Sequence, residues 1–235
     1  MARFGTLRSR FALILGASTL LVLPGPGAGA AVVRPAAGTG GDATWFERYN
    51  GPGSLDDDAA GLVVSPDASR VFVTGTSFGP AGSGDDYATF AYDALTGAKL
   101  WLSRYNGART RYDYGNAIAI SPDGATVFVT GASTESGQAT SVTTVAYDAA
   151  TGAQLWVSVS SHGKGSGEAV AVSPDGSSVF VTGQDYLNSD YVTIAYDGST
   201  GAELWASTYN GPGSGTDEAN AIGVSPDGST VWVTG

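Results

Sequence analysis

One four-residue turn recurs four times in this chain and sets the period of everything around it. Ser65-Pro-Asp-Ala returns as Ser121-Pro-Asp-Gly, Ser173-Pro-Asp-Gly and Ser225-Pro-Asp-Gly, at intervals of 56, 52 and 52 residues. Val73-Thr-Gly recurs at Val129, Val181 and Val233. Ala91-Tyr-Asp recurs at Ala146 and Ala195, each time followed by Thr-Gly-Ala and then Leu-Trp, at Trp101, Trp156 and Trp205. A repeat of this length is one supersecondary unit that cannot bury its apolar surface alone and stacks against its neighbours.

Each unit reads as four strands. In the second, Ala117–Ile120 is strand a, Thr126–Thr130 strand b, Val142–Tyr147 strand c and Gln154–Ser158 strand d. The Ser-Pro-Asp-Gly turn joins a to b: Pro presets φ, Asp accepts a local hydrogen bond, and Gly takes the left-handed position. Asp148-Ala-Ala-Thr-Gly152 joins c to d with the same use of glycine. Strand a alternates small and large residues, as in Ala169-Val-Ala-Val172, which suits sheets converging on an axis. Strand b is apolar on both faces (Val71-Phe-Val73 and its copies), as expected of a strand lying between layers. The predicted fold is therefore an all-β propeller of four-stranded blades. Three units are whole, 59–105, 115–160 and 167–209, and a partial one covers 219–235. A d-like strand, 43–49, with Trp45, precedes them. The expectation is an incomplete ring, the chain being a fragment of a longer one.

The segments 91–101, 146–156 and 195–205 resemble the Ala-x-Asp-x-x-Thr-Gly-x-x-x-Trp docking motif of pyrroloquinoline-quinone-type propeller repeats. The Ser-Pro-Asp-Gly turn and Val-Phe-Val-Thr-Gly strand also resemble Tyr-Val-Thr-Asn-type bacterial surface propellers. The resemblance implies that Trp101, Trp156 and Trp205 dock one blade on the next, a structural role. It does not extend to the family's quinone-dependent enzymes, since the chain has no cysteine and no calcium-site residues map onto it.

Residues 1–30 read as a signal peptide. Arg3, Arg8 and Arg10 precede the apolar run Phe11 to Leu23, and Ala28-Gly29-Ala30 offers small residues for cleavage. Residues 31–42 form an Ala/Gly leader. The expected location is secreted, periplasmic or extracellular. The formal net charge of −11 disfavours nucleic acid and anionic membrane surfaces, which reward clustered Lys and Arg. Without cysteine and with one histidine, thiolate chemistry and multi-imidazole metal sites are excluded within this chain.

Function is expected on the d–a and b–c connections, which differ between units, because loops on a rigid scaffold vary without harming the core. These connections carry many acids and suggest an acidic ligand face, for which Asp57, Asp86, Tyr112, Asp113, Tyr186, Asp190, Asp217 and Glu218 are the candidates. Carboxylates beside tyrosines suit a protein or glycan ligand. Asp56–Asp58 and Asp217–Glu218 would suit calcium by chemistry, without the spacing of a known calcium loop. No catalytic, cofactor-binding or metal-ligating residue is otherwise assigned. The leading expectation is a secreted, non-enzymatic binding or scaffold module, with self-association where the ring is open. The alternative is a piece of a secreted propeller oxidoreductase or hydrolase whose reacting groups lie on other blades.

Overall fold

The computed structural model describes residues 11–14, 44–53, 55–80, 84–109, 111–136, 139–162, 164–213 and 215–235. The expected signal peptide and leader lie outside the described residues apart from β1, Phe11–Ile14, which pairs antiparallel with β2, Phe46–Tyr49. The described residues form strands and turns, with no helix.

Three antiparallel four-stranded sheets follow in chain order. Blade 1 is β3 (Asp57–Val64), β4 (Arg70–Phe78), β5 (Asp85–Asp93) and β6 (Lys99–Tyr105). Blade 2 is β7 (Asp113–Ile120), β8 (Thr126–Ser136), β9 (Ala139–Asp148) and β10 (Gln154–Val159). Blade 3 is β11 (Gly165–Val172), β12 (Ser178–Asp185), β13 (Asp190–Asp197) and β14 (Glu203–Tyr209). A two-stranded half-blade, β15 (Ala221–Val224) with β16 (Val231–Thr234), comes last. The first strands β3, β7, β11 and β15 pack one on the next, so they line the inner side of the array.

The turns form as their residues dictate. In blade 1 the Ser65 hydroxyl donates to Asp67 Oδ1 at 2.6 Å and accepts from the Arg70 amide at 2.9 Å. The same bonds recur around Asp123, Asp175 and Asp227. The fourth position is left-handed in all four turns: Gly124, Gly176 and Gly228 at φ 73° to 75°, and Ala68 at φ 56°.

Strand b divides its side chains between two interfaces. Phe72 packs toward blade 2 with Tyr87, Trp101, Val127, Val129 and Tyr147. Val71 and Val73 pack the other way, with Trp45 and Phe90. Blades 2 and 3 meet in the same manner through Phe128, Trp156, Val179, Val181 and Ile194. Each such side chain contributes roughly 1.5–3 kcal/mol on burial, so the stacked faces are the core. The stack is open. The strand-b aromatic is 0% exposed at Phe72, 1% at Phe128 and 7% at Phe180, but 59% at Trp232.

Strand boundaries depart from the sequence expectation at the loop face. Strand a carries a bulge between Ala59 and Gly61, between Gly115 and Ala117, and between Gly167 and Ala169. An extra residue there breaks the alternation, and the apolar pattern ends. Pairing continues beyond it: Asp57 faces Ser77, Asp113 faces Ser133, and Gly165 faces Asp185. Several residues expected in loops are therefore strand residues.

Candidate functional site

The consequence falls on the carboxylates. Asp57, Asp86 and Asp113 are buried, at 3%, 4% and 0% exposure, and do not belong to a solvent-facing ligand surface as the sequence led us to expect. Asp57 and Asp113 instead close the d–a connections. Gly51 donates its amide to Asp57 Oδ2 at 2.8 Å, and Gly107 to Asp113 Oδ2 at 3.0 Å. Gly211 does the same to Asp217 Oδ2 at 2.7 Å. One Asn-Gly plus an aspartate six residues on is thus a repeated loop lock, which also accounts for the half-buried position of Asp217.

Asp113 has further partners: the Ser133 hydroxyl and the Thr134 amide both donate to its Oδ1. Burial nevertheless holds its carboxyl above the usual range. The Ser133 hydroxyl oxygen also stands 2.9 Å from Glu135 Oε1, which accepts from the Tyr105 hydroxyl at 2.8 Å. These groups tie the end of blade 1 to blade 2.

Asp86 is held by Arg104, whose Nη2 stands 2.8 Å from Oδ2. The same guanidinium donates to the Tyr49 hydroxyl, to Ser77 Oγ and to the Ser77 carbonyl, which ties β2, β4, β5 and β6 together. Desolvation raises the Asp86 pKa, and Arg104 works against it. Sequence reading missed Arg104, although it stood out: register places Val159 and Thr208 at its position in blades 2 and 3. Asp190 is half-buried at the start of β13, facing buried Asp185.

What remains exposed on this side is aromatic and of mixed charge. Tyr112 is 49% exposed and stacks on Tyr114 with ring centroids 6.1 Å apart. Tyr112 bridges Asp85, whose pKa is raised, chiefly by burial. Arg109 and Arg111 are exposed beside them, as are Asp56 and Asp58; Glu218 is exposed elsewhere on this side, near Tyr186. In the β12–β13 turn, Tyr186 and Leu187 stand 51% and 69% exposed. Of the eight candidates, Tyr112, Tyr186 and Glu218 therefore face solvent. Among the described residues, no group of three or more carboxylates and imidazoles is placed to hold a metal ion.

The tryptophans sit between blades. Trp101 Nε1 donates to the Ala149 carbonyl and Trp156 Nε1 to the Gly198 carbonyl, each at 3.1 Å. Trp45 likewise donates to Ala94, at 2.9 Å, so β2 stands where strand d of a preceding blade would. The left-handed glycine of the following c–d turn lies flush on each indole. A Cβ would come within 2.6 Å of Trp45 from Gly97, 2.7 Å of Trp101 from Gly152 and 2.6 Å of Trp156 from Gly201. Trp205, whose place in the repeat is the same, is 42% exposed.

Comparison with known proteins agrees with this geometry. The chain resembles a hydrazine synthase structure from Kuenenia stuttgartiensis, with 17% identity, a TM-score of 0.53, and coverage of 77% of this chain and 44% of that one. It resembles Sqt1 of Chaetomium thermophilum, solved with the N-terminus of a ribosomal protein, at 15% identity and a TM-score of 0.53, covering 74% and 40%. BamB of Moraxella catarrhalis is matched at 22% identity and a TM-score of 0.43, over 70% and 42%. The chain thus spans less than half the length of each of these structures. No curated protein is matched by sequence. A family model described as outer membrane protein assembly factor BamB matches residues 85–206 and 140–234. Those residues include the blade-docking repeats, and the chain belongs to this family of pyrroloquinoline-quinone-type propeller repeats.

Proposed function

We propose that this protein is an exported, non-enzymatic binding module that engages a protein partner through the d–a and b–c side of its blades. The observation that carries the reading is the division of labour on that side. Its buried carboxylates are committed to loop closure and to Arg104, while Tyr112 and Tyr186 stand exposed in the connections next to β7 and β12. Exposed aromatics with one polar tip suit protein surfaces. The basic, apolar N-terminus supports export, and the family's description, which names an outer-membrane assembly factor, supports a periplasmic or surface setting and a scaffolding role. A photo-crosslinking amino acid at position 112 or 187, in cells exporting the protein, is expected to capture a protein partner. The same group at Leu95, 82% exposed on a c–d turn at the opposite side, is the control and is expected to capture none. Equal capture from all three positions overturns the reading.

The second reading, a portion of a propeller enzyme with its reacting groups on other blades, is favoured by the coverage of less than half of the matched structures. Turnover by a longer form of the protein, and none by residues 1–235, would establish it.

A further inference from the structure

Three of the d–a connections open on Asn-Gly, at Asn50-Gly51, Asn106-Gly107 and Asn210-Gly211, and in each the asparagine is exposed. Asn-Gly is the dipeptide step most open to self-modification. The glycine nitrogen attacks the asparagine Cγ, and its hydrogen passes to the side-chain NH2, which departs as ammonia. Water then opens the resulting imide at either carbonyl, leaving aspartate or isoaspartate. Glycine favours the closure because it has no Cβ to hinder its nitrogen or restrict its backbone. The fold nonetheless calls for glycine here. A Cβ at Gly51 would run into Ser77 Oγ, one at Gly107 into Ser133 Oγ, and one at Gly211 into Asp217 Oδ1. The close approach that builds each loop lock therefore also places the labile step in the loop.

The same contact supplies the restraint. Each glycine amide donates to the aspartate six residues on, Gly51 to Asp57 at 2.8 Å, Gly107 to Asp113 at 3.0 Å and Gly211 to Asp217 at 2.7 Å. Ring closure must turn that peptide plane and remove that hydrogen, so it breaks a hydrogen bond to a charged acceptor, one of the stronger kinds. A carboxylate at this distance also opposes the negative charge that gathers on the nitrogen as it becomes a nucleophile. Labile step and lock come as a unit. Between blades 2 and 3, Ser161-His162 stands in place of Asn-Gly, and Gly165 in place of the aspartate. The Asp-Gly steps, open to the same closure, are held as well. The amides of Gly124, Gly176, Gly198 and Gly228 donate to the carbonyls of Ser121, Ser173, Ser177 and Ser225 at 2.8 to 2.9 Å. We propose that Asn50, Asn106 and Asn210 are latent deamidation sites, kept unreacted by Asp57, Asp113 and Asp217 through the glycine that follows each asparagine. The chemistry is independent of the partner proposed for the loop side.

The test is peptide mapping by mass spectrometry after the full chain is held at mildly alkaline pH, with aspartate and isoaspartate read at each site. In the wild type, Asn210 is expected to convert at least ~10-fold more slowly than in a free peptide of residues 206–213, the effect of one hydrogen bond to a charge. Asp217 is only half-buried, so its truncation disturbs the fold least. Asp217→Ala is expected to restore most of the peptide's rate at Asn210. Asn50 and Asn106 in the same molecules are expected to stay slow, which reports that the blades remain folded. Asp217→Asn keeps a weaker, uncharged acceptor and is expected to give an intermediate rate. If Asp217→Ala accelerates all three sites, the whole fold has opened and Asp217→Asn decides. Acceleration there at Asn210 alone supports the lock, and any other pattern overturns it. Wild-type conversion at the peptide's rate also overturns the proposal, as does an Asn210 rate that is unchanged or lower in Asp217→Ala, which would make the carboxylate a base for the attack.

Discussion

The indole of Trp156 lies against Gly201 of the next blade and donates its Nε1 hydrogen to the carbonyl of Gly198, three residues earlier in the same turn, at 3.1 Å. Trp205 holds the same place in its own blade, yet 42% of it is exposed where Trp156 has 8%. The two residues therefore separate docking from mere presence of the motif. Trp156→Ala is expected to cost about 3–5 kcal/mol, as large-to-small changes at filled sites do. Trp205→Ala is expected to cost under about 2 kcal/mol, since much of its surface never leaves water. Guanidinium denaturation of both variants checks the difference. Equal losses would mean that Trp205 is covered in solution.

Gly201 supplies the complementary half of that contact. Its φ of +71° is a conformation that L side chains adopt at a cost, and an added Cβ would lie 2.6 Å from Trp156. Gly201→Ala is therefore expected to lose about 2–4 kcal/mol, combining left-handed strain with overpacking. Ala68 tests the strain alone, since it sits at φ 56° in an a–b turn where the other three copies have glycine. Ala68→Gly relieves strain but loosens the unfolded chain, two effects of similar size. A net gain of up to about 1 kcal/mol is expected, read as a higher denaturation midpoint with an unchanged slope.

The propeller architecture was legible because its cause is periodic. Turn residues recur at fixed offsets, and Val71-Phe-Val73 with its copies shows both faces of strand b buried. The candidate face was legible only in part. Asp57 and Asp113 looked like loop acids because a bulge at Ala60 and Asn116 ends the apolar alternation before the strand itself ends. A bulge has no side-chain signature in one sequence. The repeat did hold a usable clue, the six-residue spacing from Gly51 to Asp57, from Gly107 to Asp113 and from Gly211 to Asp217. Recurrence of an acid at a fixed offset points to structure, whereas Tyr112 and Tyr186 do not recur. The Arg104 network depended on side chains from four strands, and no linear pattern joins them.

Arg104 and Asp86 offer a test of that network from within the repeat itself. Blade 2 carries Val159 and Ser141 at the corresponding register positions and needs no ion pair there. Arg104→Val alone strands the Asp86 carboxylate, which is 4% exposed, and is expected to cost about 3 kcal/mol. Arg104→Val with Asp86→Ser removes both charges and is expected to recover most of that loss, as replacement of a buried pair by neutral groups often does. A double-mutant cycle in urea reads the coupling. Additive losses would mean that Arg104 acts through Tyr49 and Ser77 rather than through Asp86.

Two populations of carboxylate give stability opposite dependences on pH. Asp67, Asp175 and Asp227 accept hydrogen bonds from their turns, first from Ser65, Ser173 and Ser225, which lower their pKa from 3.8 to about 2. Asp93, Asp123, Asp148 and Asp197 are lowered in the same way. A lowered pKa contributes stability that is present above the unfolded value and lost as pH falls through the folded one. Glu47, Asp85, Asp86 and Asp113 are raised, chiefly by burial. The folded protein takes up their protons before the unfolded chain does, so acidification from neutral favours folding until the unfolded values near 3.8 to 4.5 are reached. Partial neutralisation of the net charge of −11 acts in the same direction. Thermal midpoints are therefore expected to rise from pH 7 toward about pH 4 to 5 and to fall between 3.8 and about 2. Asp67→Ala is expected to make the acid limb shallower by one titrating group and to leave the neutral limb unchanged. A midpoint that falls steadily from pH 7 downward would contradict the raised pKa values of the buried carboxylates.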